Sequence, residues 1–216
     1  MSPVSTRAFV QARMSSTRFP GKVLAPFKGH PVVWHVLMRI AQVLPKEQIV
    51  LATSSNPSDD PLAAYVLQLG FPVFRGPLDN VVERFQLCMR QYPCRWFFRV
   101  CADSPLFDWK QMERMMVYQD QTGIHLVTNN FPRTVPRGHG LEMIDSATFL
   151  KLDVGQLSAR EREHATQYLY AHPEVFRIVN VESEDLSLAS QNLCVDTPGD
   201  ILRLEELFQQ TEMVYG

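Results

Sequence analysis

Strong charge of either sign is missing from this chain. Its 21 Lys and Arg nearly cancel its 23 Asp and Glu, leaving a formal net charge of −2 over 216 residues. Such a balance offers nucleic acid no global field, so a role on DNA or RNA would need a local basic patch. Long apolar runs are missing too, and nowhere do about eighteen apolar residues follow one another, the length that a membrane-crossing helix needs. The opening MSPVSTRAFVQAR has an apolar run too short for a secretory signal, so a cytoplasmic chain with no membrane partner is expected. The four cysteines, Cys88, Cys94, Cys101 and Cys194, show no C-x-x-C spacing. That disfavours a zinc site or disulfide framework and favours buried, reduced thiols. His30, His35, His125 and His172 also lack the spacing of a metal site, and His35 on an apolar helix reads as a core histidine with its polar atoms satisfied. Repeats and low-complexity linkers are absent, which leaves one domain over residues 1–216.

What is present is an alternation of apolar runs and amphipathic segments, in a chain with 45% hydrophobic residues. RAFVQA (7–12), QIVLATS (48–54), FPVFRG (71–76) and RWFFRVCA (95–102) read as strands. Between them lie helical patterns: PVVWHVLMRIAQVL (31–44) with Pro31 in its first turn, DDPLAAYVLQLG (59–70) ended by Gly70, and LDNVVERFQLCMRQ (78–91). Strands separated by helices of this length require crossover connections and a mainly parallel sheet. The fold class is therefore α/β, a Rossmann-like doubly wound sheet. The Met-rich MERMMVY (112–118) suits helix packing. The second half is less regular, with strands expected at HLVTNN (125–130), LEMI, VFRIVNV and NLCV. Helices are expected at SATFLKL, SAREREHATQYLYAH (158–172) and PGDILRLEELFQQ (198–210), and a Pro/Gly/Arg loop at FPRTVPRGHG (131–140). In such sheets ligands bind outside the carboxyl ends of the strands. That rule marks segments 12–22, 53–60, 75–79 and 102–106.

The first of these, within VQARMSSTRFPGK, gathers Arg13, Arg18 and Lys22 among small and hydroxyl residues. Small residues at 15–17 let backbone N–H groups approach an anion, with the cations neutralising it. A basic surface loop has the same composition, and both readings stand at this point. A Walker loop is excluded, because Val23 follows Gly21–Lys22 and Ser16 stands where that motif has its first glycine. Asp103 and Asp196 each follow an apolar run and precede a proline. Two acids on strand ends of one sheet suit Mg²⁺, although Asp196 capping its helix and Asp103 capping a loop are the competing account. Arg133 and Arg137 suit a carboxylate-bearing ligand or an exposed basic loop. On one continuous helix, Arg162, Glu163 and His164 would point in different directions, with Arg160 and His164 sharing one face and Arg162 and Thr166 another.

These residues carry a resemblance. A-R-M-S-S-T-R-F-P-G-K-V-L resembles the opening signature of the sugar-acid cytidylyltransferases, most closely the SpsF-type branch of spore coat polysaccharide biosynthesis. Kdo and acylneuraminate cytidylyltransferases resemble it more distantly. The likeness continues in family order through L-A-T-S…D-D (51–60), V-F-R-G (73–76), A-D-S-P-L (102–106), P-R-G (136–138), R-E-H (162–164), D-L-S (185–187) and V-D-T-P-x-D (195–200).

The resemblance implies the nucleotide-diphospho-sugar transferase type of sheet, with a small inserted acceptor and dimer subregion at about 130–188. It implies transfer of CMP from CTP to a Kdo-like or nonulosonic sugar acid, with release of pyrophosphate, and a homodimer. Ala12, Arg13, Ser16, Thr17, Arg18, Lys22, Thr53, Asp60 and Arg75 fall on the nucleotide side. Arg13, Lys22, Asp103 and Asp196 carry catalysis, with Mg²⁺ on the two acids; Asp200 supports a helix start. Arg133, Arg137, Glu142, Arg162, Glu163 and His164 fall on the acceptor side or the dimer contact. The chain departs from the pattern at Ser15 (usually glycine), Gly199 (usually glutamate) and Gly140, where the branch has an acid in P-R-G-x-D-x-E. The rivals are an enzyme of the same fold acting on a sugar phosphate or phosphonate with another nucleotide, and a catalytically silent nucleotide-binding protein.

Overall fold

The computed structural model describes residues 4–183, 186 and 189–215, the side chains of 209–215 excepted. Asp185 and Ser187 of the D-L-S block lie outside the described residues.

Six strands of the mixed seven-stranded sheet are parallel in direction and one runs against them. Chain order supplies β1 (Val4–Gln11), the short hairpin strands β2 (Pro26–Phe27) and β3 (His30–Pro31), β4 (Ile49–Ser54), β5 (Val73–Gly76), β6 (Cys94–Cys101), β7 (Leu126–Thr128), β8 (Glu142–Asp145) and β9 (Ile178–Asn180). The sheet order is β5-β4-β1-β6-β8-β7-β9. β1 pairs in parallel with both β4 and β6, while β8 is antiparallel to β6 and β7. From β5 at one edge the chain returns to the other side of β1, so the switch point lies between β1 and β6.

Helices cover both faces, which is why β4 (IVLATS) is buried along its whole length and reads as a continuous apolar run. Helices α1 (Val32–Ile40), α2 (Asp60–Gln68) and α4 (Lys110–Met116) lie on one face. Val33, Val36, Leu37 and Ile40 of α1 pack there with Leu62, Met112 and Met115, at the spacing of a helical stripe. Helices α3 (Val81–Gln91), α5 (Ser146–Leu150) and α7 (Gln167–Ala171) cover the other face, where Phe9, Phe85, Phe97 and Phe149 form an aromatic cluster. His35 is buried with Nε2 bonded to the Phe27 carbonyl at 2.7 Å. The cysteines form no disulfide.

Two expectations fail. Segment 158–172 is not one helix: α6 (Ala159–Glu163) starts on a capping box between Ser158 and Glu161 and ends where His164 turns to φ −100°, ψ 80°. The chain then turns so that the Thr166 hydroxyl reaches buried Glu142, and α7 follows. Segment NLCV is not a strand beyond one bridge at Asn192. Its N–H groups go to two different loops, Leu193 to the Arg137 carbonyl and Val195 to that of Asp103. Its apolar side chains pack with Phe27, Val32 and Leu204 of helix α8 (Pro198–Tyr215). That routing carries Asp196 to the switch point.

Candidate active site

The loop after β1 curls back over the strand ends because one carbonyl gathers two of its amides. Met14 O accepts from Ser16 N–H at 3.0 Å and from Gly21 N–H at 2.8 Å. Gly21 sits at φ +75°, a left-handed conformation that costs glycine little. From outside the loop, buried Asp59 accepts from Met14 N–H at 2.7 Å, from the Thr53 hydroxyl at 3.0 Å, and from the Ser54 amide and hydroxyl. Burial alone would raise the Asp59 pKa, but these hydrogen bonds hold it below the usual carboxylate range. Segment 53–60 thus props the loop.

Lys22, next after Gly21, reaches across the switch point. Its Nζ donates to Asp103 Oδ2 at 2.7 Å, to Asp196 Oδ1 at 3.2 Å and to the Val195 carbonyl at 2.7 Å. Burial pulls the Lys22 pKa down, but the charges and hydrogen bonds of the two carboxylates outweigh it and keep the ammonium charged. Asp196, only 9% exposed, also pairs with Arg18 at 2.9 Å and Arg137 at 3.0 Å. Its carboxylate is free for this because Asp200 starts α8 instead. Asp200 Oδ2 accepts from the amides of Asp196 and Thr197 and from the Thr197 hydroxyl. Although burial opposes it, hydrogen bonds from Arg203, Thr197 and Asp196 hold the Asp200 pKa well down.

The donor set of Asp103 and Asp196 fits a hard divalent cation. Both carboxylates already address a single cationic centre, the Lys22 ammonium, and Asp196 Oδ2 is buried without an aligned hydrogen bond. Mg²⁺ takes one or two protein carboxylates and fills its other positions with phosphate and water. Among the described residues no group of three or more His, Cys, Asp or Glu is poised for a metal.

A cleft of about 370 Å³ surrounds this cluster. Ala12, Arg13, Ser16, Thr17, Arg18 and Lys22 line it together with Arg137 and His164, around Asp103 and Asp196. Glu163 reaches the rim by pairing with Arg13 at 3.1 Å. The remaining expected residues are placed elsewhere. Thr53 is buried against Asp59. Asp60 and Arg75 pair with each other at 2.6 Å, and Arg75 is tied to the carbonyls of Ser54 and Asn56. Glu142 is buried, and its oxygens are taken by Arg99, Thr166 and Tyr170. Arg162 is drawn to the Val154 carbonyl, and exposed Arg133 does not line the cleft. The Gly140 departure has a steric partner: a Cβ there would meet Asn130 Oδ1 at 2.5 Å, so Asn130 fills the space of a side chain. Gln11, Val23 and Cys101 also line the cleft. Gln11 and Cys101 follow from the strand ends at which the apolar runs stop, but neither belongs to a charged motif.

Comparison with known proteins matches this chain to a family. The cytidylyltransferase family profile covers residues 8–215. The spore coat polysaccharide biosynthesis protein SpsF of Bacillus subtilis (strain 168) is 30% identical over 210 residues, spanning 93% of this chain and 85% of that protein. A cytidylyltransferase structure from Leptospira borgpetersenii superposes with a TM-score of 0.86 at 26% identity, covering 98% of this chain and 96% of that one. The structure of CMP:2-keto-3-deoxy-manno-octonic acid synthetase complexed with CTP shares the fold, with a TM-score of 0.72 at 16% identity over 96% and 99% of the two chains. By family profile, sequence and fold together, the chain belongs to the cytidylyltransferases.

Proposed function

We propose that this protein transfers CMP from CTP to an anionic sugar acid and releases pyrophosphate, as a cytoplasmic homodimer using Mg²⁺. The observation that carries the reading is the cation cluster of Arg13, Arg18 and Lys22, held on a curled loop directly against Asp103 and Asp196. In this reading Lys22, Arg13 and Arg18 bind the triphosphate, and Arg137 with His164 faces the acceptor. Asp103 and Asp196 would hold the divalent ion, which when bound screens phosphate charge and favours ionisation of the attacking hydroxyl. The acceptor oxygen attacks the α-phosphorus in line, the bond to the β-phosphate oxygen breaks, and pyrophosphate leaves. Lys22 and Arg13 stabilise the charge gathering on that leaving group. No side chain becomes a covalent nucleophile, so positioning and electrostatics supply the rate. A guanidinium on the acceptor side suits a carboxylate, which it takes through two parallel hydrogen bonds.

A pyrophosphate-release screen tests this, crossing four nucleoside triphosphates with 3-deoxy-manno-octulosonate, N-acetylneuraminate, a sugar 1-phosphate and a phosphonate. Release with CTP and a sugar acid is expected. Release only with UTP and the sugar phosphate would sink the reading, and silence throughout would favour a binding role.

A further inference from the structure

We infer that the side-chain amide of Gln11 is a specificity contact that takes a hydroxyl group of the acceptor at the floor of the cleft; the inference rests on the cytidylyl-transfer reading above. Gln11 is the last residue of β1, at the switch point, in register with Ala52 on one side and Cys101 on the other. It lines the cleft, yet its Oε1 is buried and has no hydrogen-bond partner among the described residues. Of the cleft residues around it, Ala12, Val23 and Ala102 have no side-chain donor, and the thiol of Cys101, its partner in register, makes no hydrogen bond to it. A buried carbonyl left this way is costly to the protein, so a partner from outside the chain is the natural account of it.

A second orphan lies beside it. Arg99 pairs with Phe9 across β1 and β6, and strand alternation puts Phe9, Gln11, Arg99 and Cys101 on one face. The Arg99 guanidinium spends Nη1 on Glu142 at 3.0 Å, while its Nε is buried with no partner. The cleft floor therefore holds an acceptor without a donor at Gln11, and the same sheet face holds a donor without an acceptor at Arg99, outside the cleft lining. A hydroxyl answers the Gln11 carbonyl, because it donates once and still accepts through its lone pairs. Turning the Gln11 amide over changes only which hydrogen bond the hydroxyl makes. A carboxylate would instead set its oxygens against Oε1, and the cations that suit one are at Arg13, Arg18 and Arg137. The division of labour is then clear: anionic parts of the reactants go to the basic walls, and a neutral hydroxylated part of the acceptor goes to the floor.

The test is Gln11→Met, which keeps the volume and removes both polar atoms. Steady-state pyrophosphate release is measured with CTP, Mg²⁺ and whichever of 3-deoxy-manno-octulosonate or N-acetylneuraminate the wild type turns over, beside the melting temperature of the unliganded protein. KM for the acceptor is expected to rise about tenfold, the worth of one hydrogen bond, with KM for CTP unchanged. The unliganded variant is expected to melt no lower than wild type, because it has lost an unsatisfied group and no internal bond. An unchanged acceptor KM overturns the inference, and so does a rise confined to KM for CTP. A lower melting temperature assigns the amide a structural role and overturns it as well. Failure of the wild type to release pyrophosphate with either acceptor strikes the proposed function itself, which separates the two failures.

Discussion

A carboxylate ringed by cations competes with any anion that reaches them. Asp196 sits within 3.2 Å of Lys22, 2.9 Å of Arg18 and 3.0 Å of Arg137, so the wild-type cleft is neutralised from within. Asp196→Asn removes the competitor while leaving a side chain of the same shape. Metal-free pyrophosphate should then bind about tenfold more tightly by calorimetry, equal to ~1.4 kcal/mol, while turnover of CTP is lost with the carboxylate proposed to hold the metal. Weaker pyrophosphate binding would show that Asp196 organises the cations rather than competing for their ligand. Asp59 makes the opposite case, a carboxylate whose partners are all N–H and O–H donors. Asp59→Asn should cost about 2–3 kcal/mol near neutral pH, the worth of a charge-assisted bond lost. Its folded pKa lies below the unfolded value near 3.8, so the ionised form is the one that stabilises the fold. That contribution is complete above the unfolded pKa and disappears as pH falls through the folded one. Urea denaturation at a series of pH values should therefore show the gap between wild type and variant closing only in acid.

The β6–β8 pair and the α6–α7 turn are clamped together by one buried ion pair. Arg99 of β6 meets Glu142 of β8 at 3.0 Å, and Glu142 in turn accepts from Thr166 at the start of α7 and from Tyr170 within it. Burial and the Glu142 carboxylate together push the Tyr170 hydroxyl far above its ordinary pKa, so it stays a donor. Glu142→Leu should destabilise by about 3–5 kcal/mol, because it strands a buried guanidinium. Adding Arg99→Met should recover most of the loss in the same denaturation assay. At this scale the sequence was legible where both faces of an element are covered. β4 announces itself by a run buried along its whole length, β6 by the apolar Trp96–Phe97–Phe98 at its centre, and α1 by its stripe. The break at His164 was not legible, since neither glycine nor proline marks it and its cause is a carboxylate more than twenty positions earlier in the chain. NLCV misled for a related reason: its apolar residues serve packing against α8, not strand pairing. The cation loop and both acids stood out as motifs on strand ends, whereas Gln11 carries no motif and shows itself only by what it fails to bond.

Five separate stretches of the chain supply the cleft: residues 11–23, 101–103, Arg137, His164 and Asp196. The first two come from the regular, parallel half of the sheet, and the others from loops and turns of the irregular half. Contacts joining the halves at the cleft include the ion pairs of Arg13 with Glu163 and of Lys22 with Asp196. Exposed pairs of the first kind contribute little to stability, because water screens them and both side chains lose freedom. A bound triphosphate would replace them with several simultaneous bonds to the same cations and so hold the halves together more firmly. CTP with Mg²⁺ at about a hundred times its dissociation constant should stabilise the fold by ~2.7 kcal/mol. For a chain of this length that corresponds to a rise of about 5–10 °C in melting temperature. Lys22→Met should abolish most of the rise, since it removes the one cation among the described residues that touches both acids, while Arg133→Met, whose side chain lies off the cleft, should leave it intact. A full shift in the Lys22 variant would place the triphosphate away from the loop after β1 and overturn the assignment of that loop to phosphate.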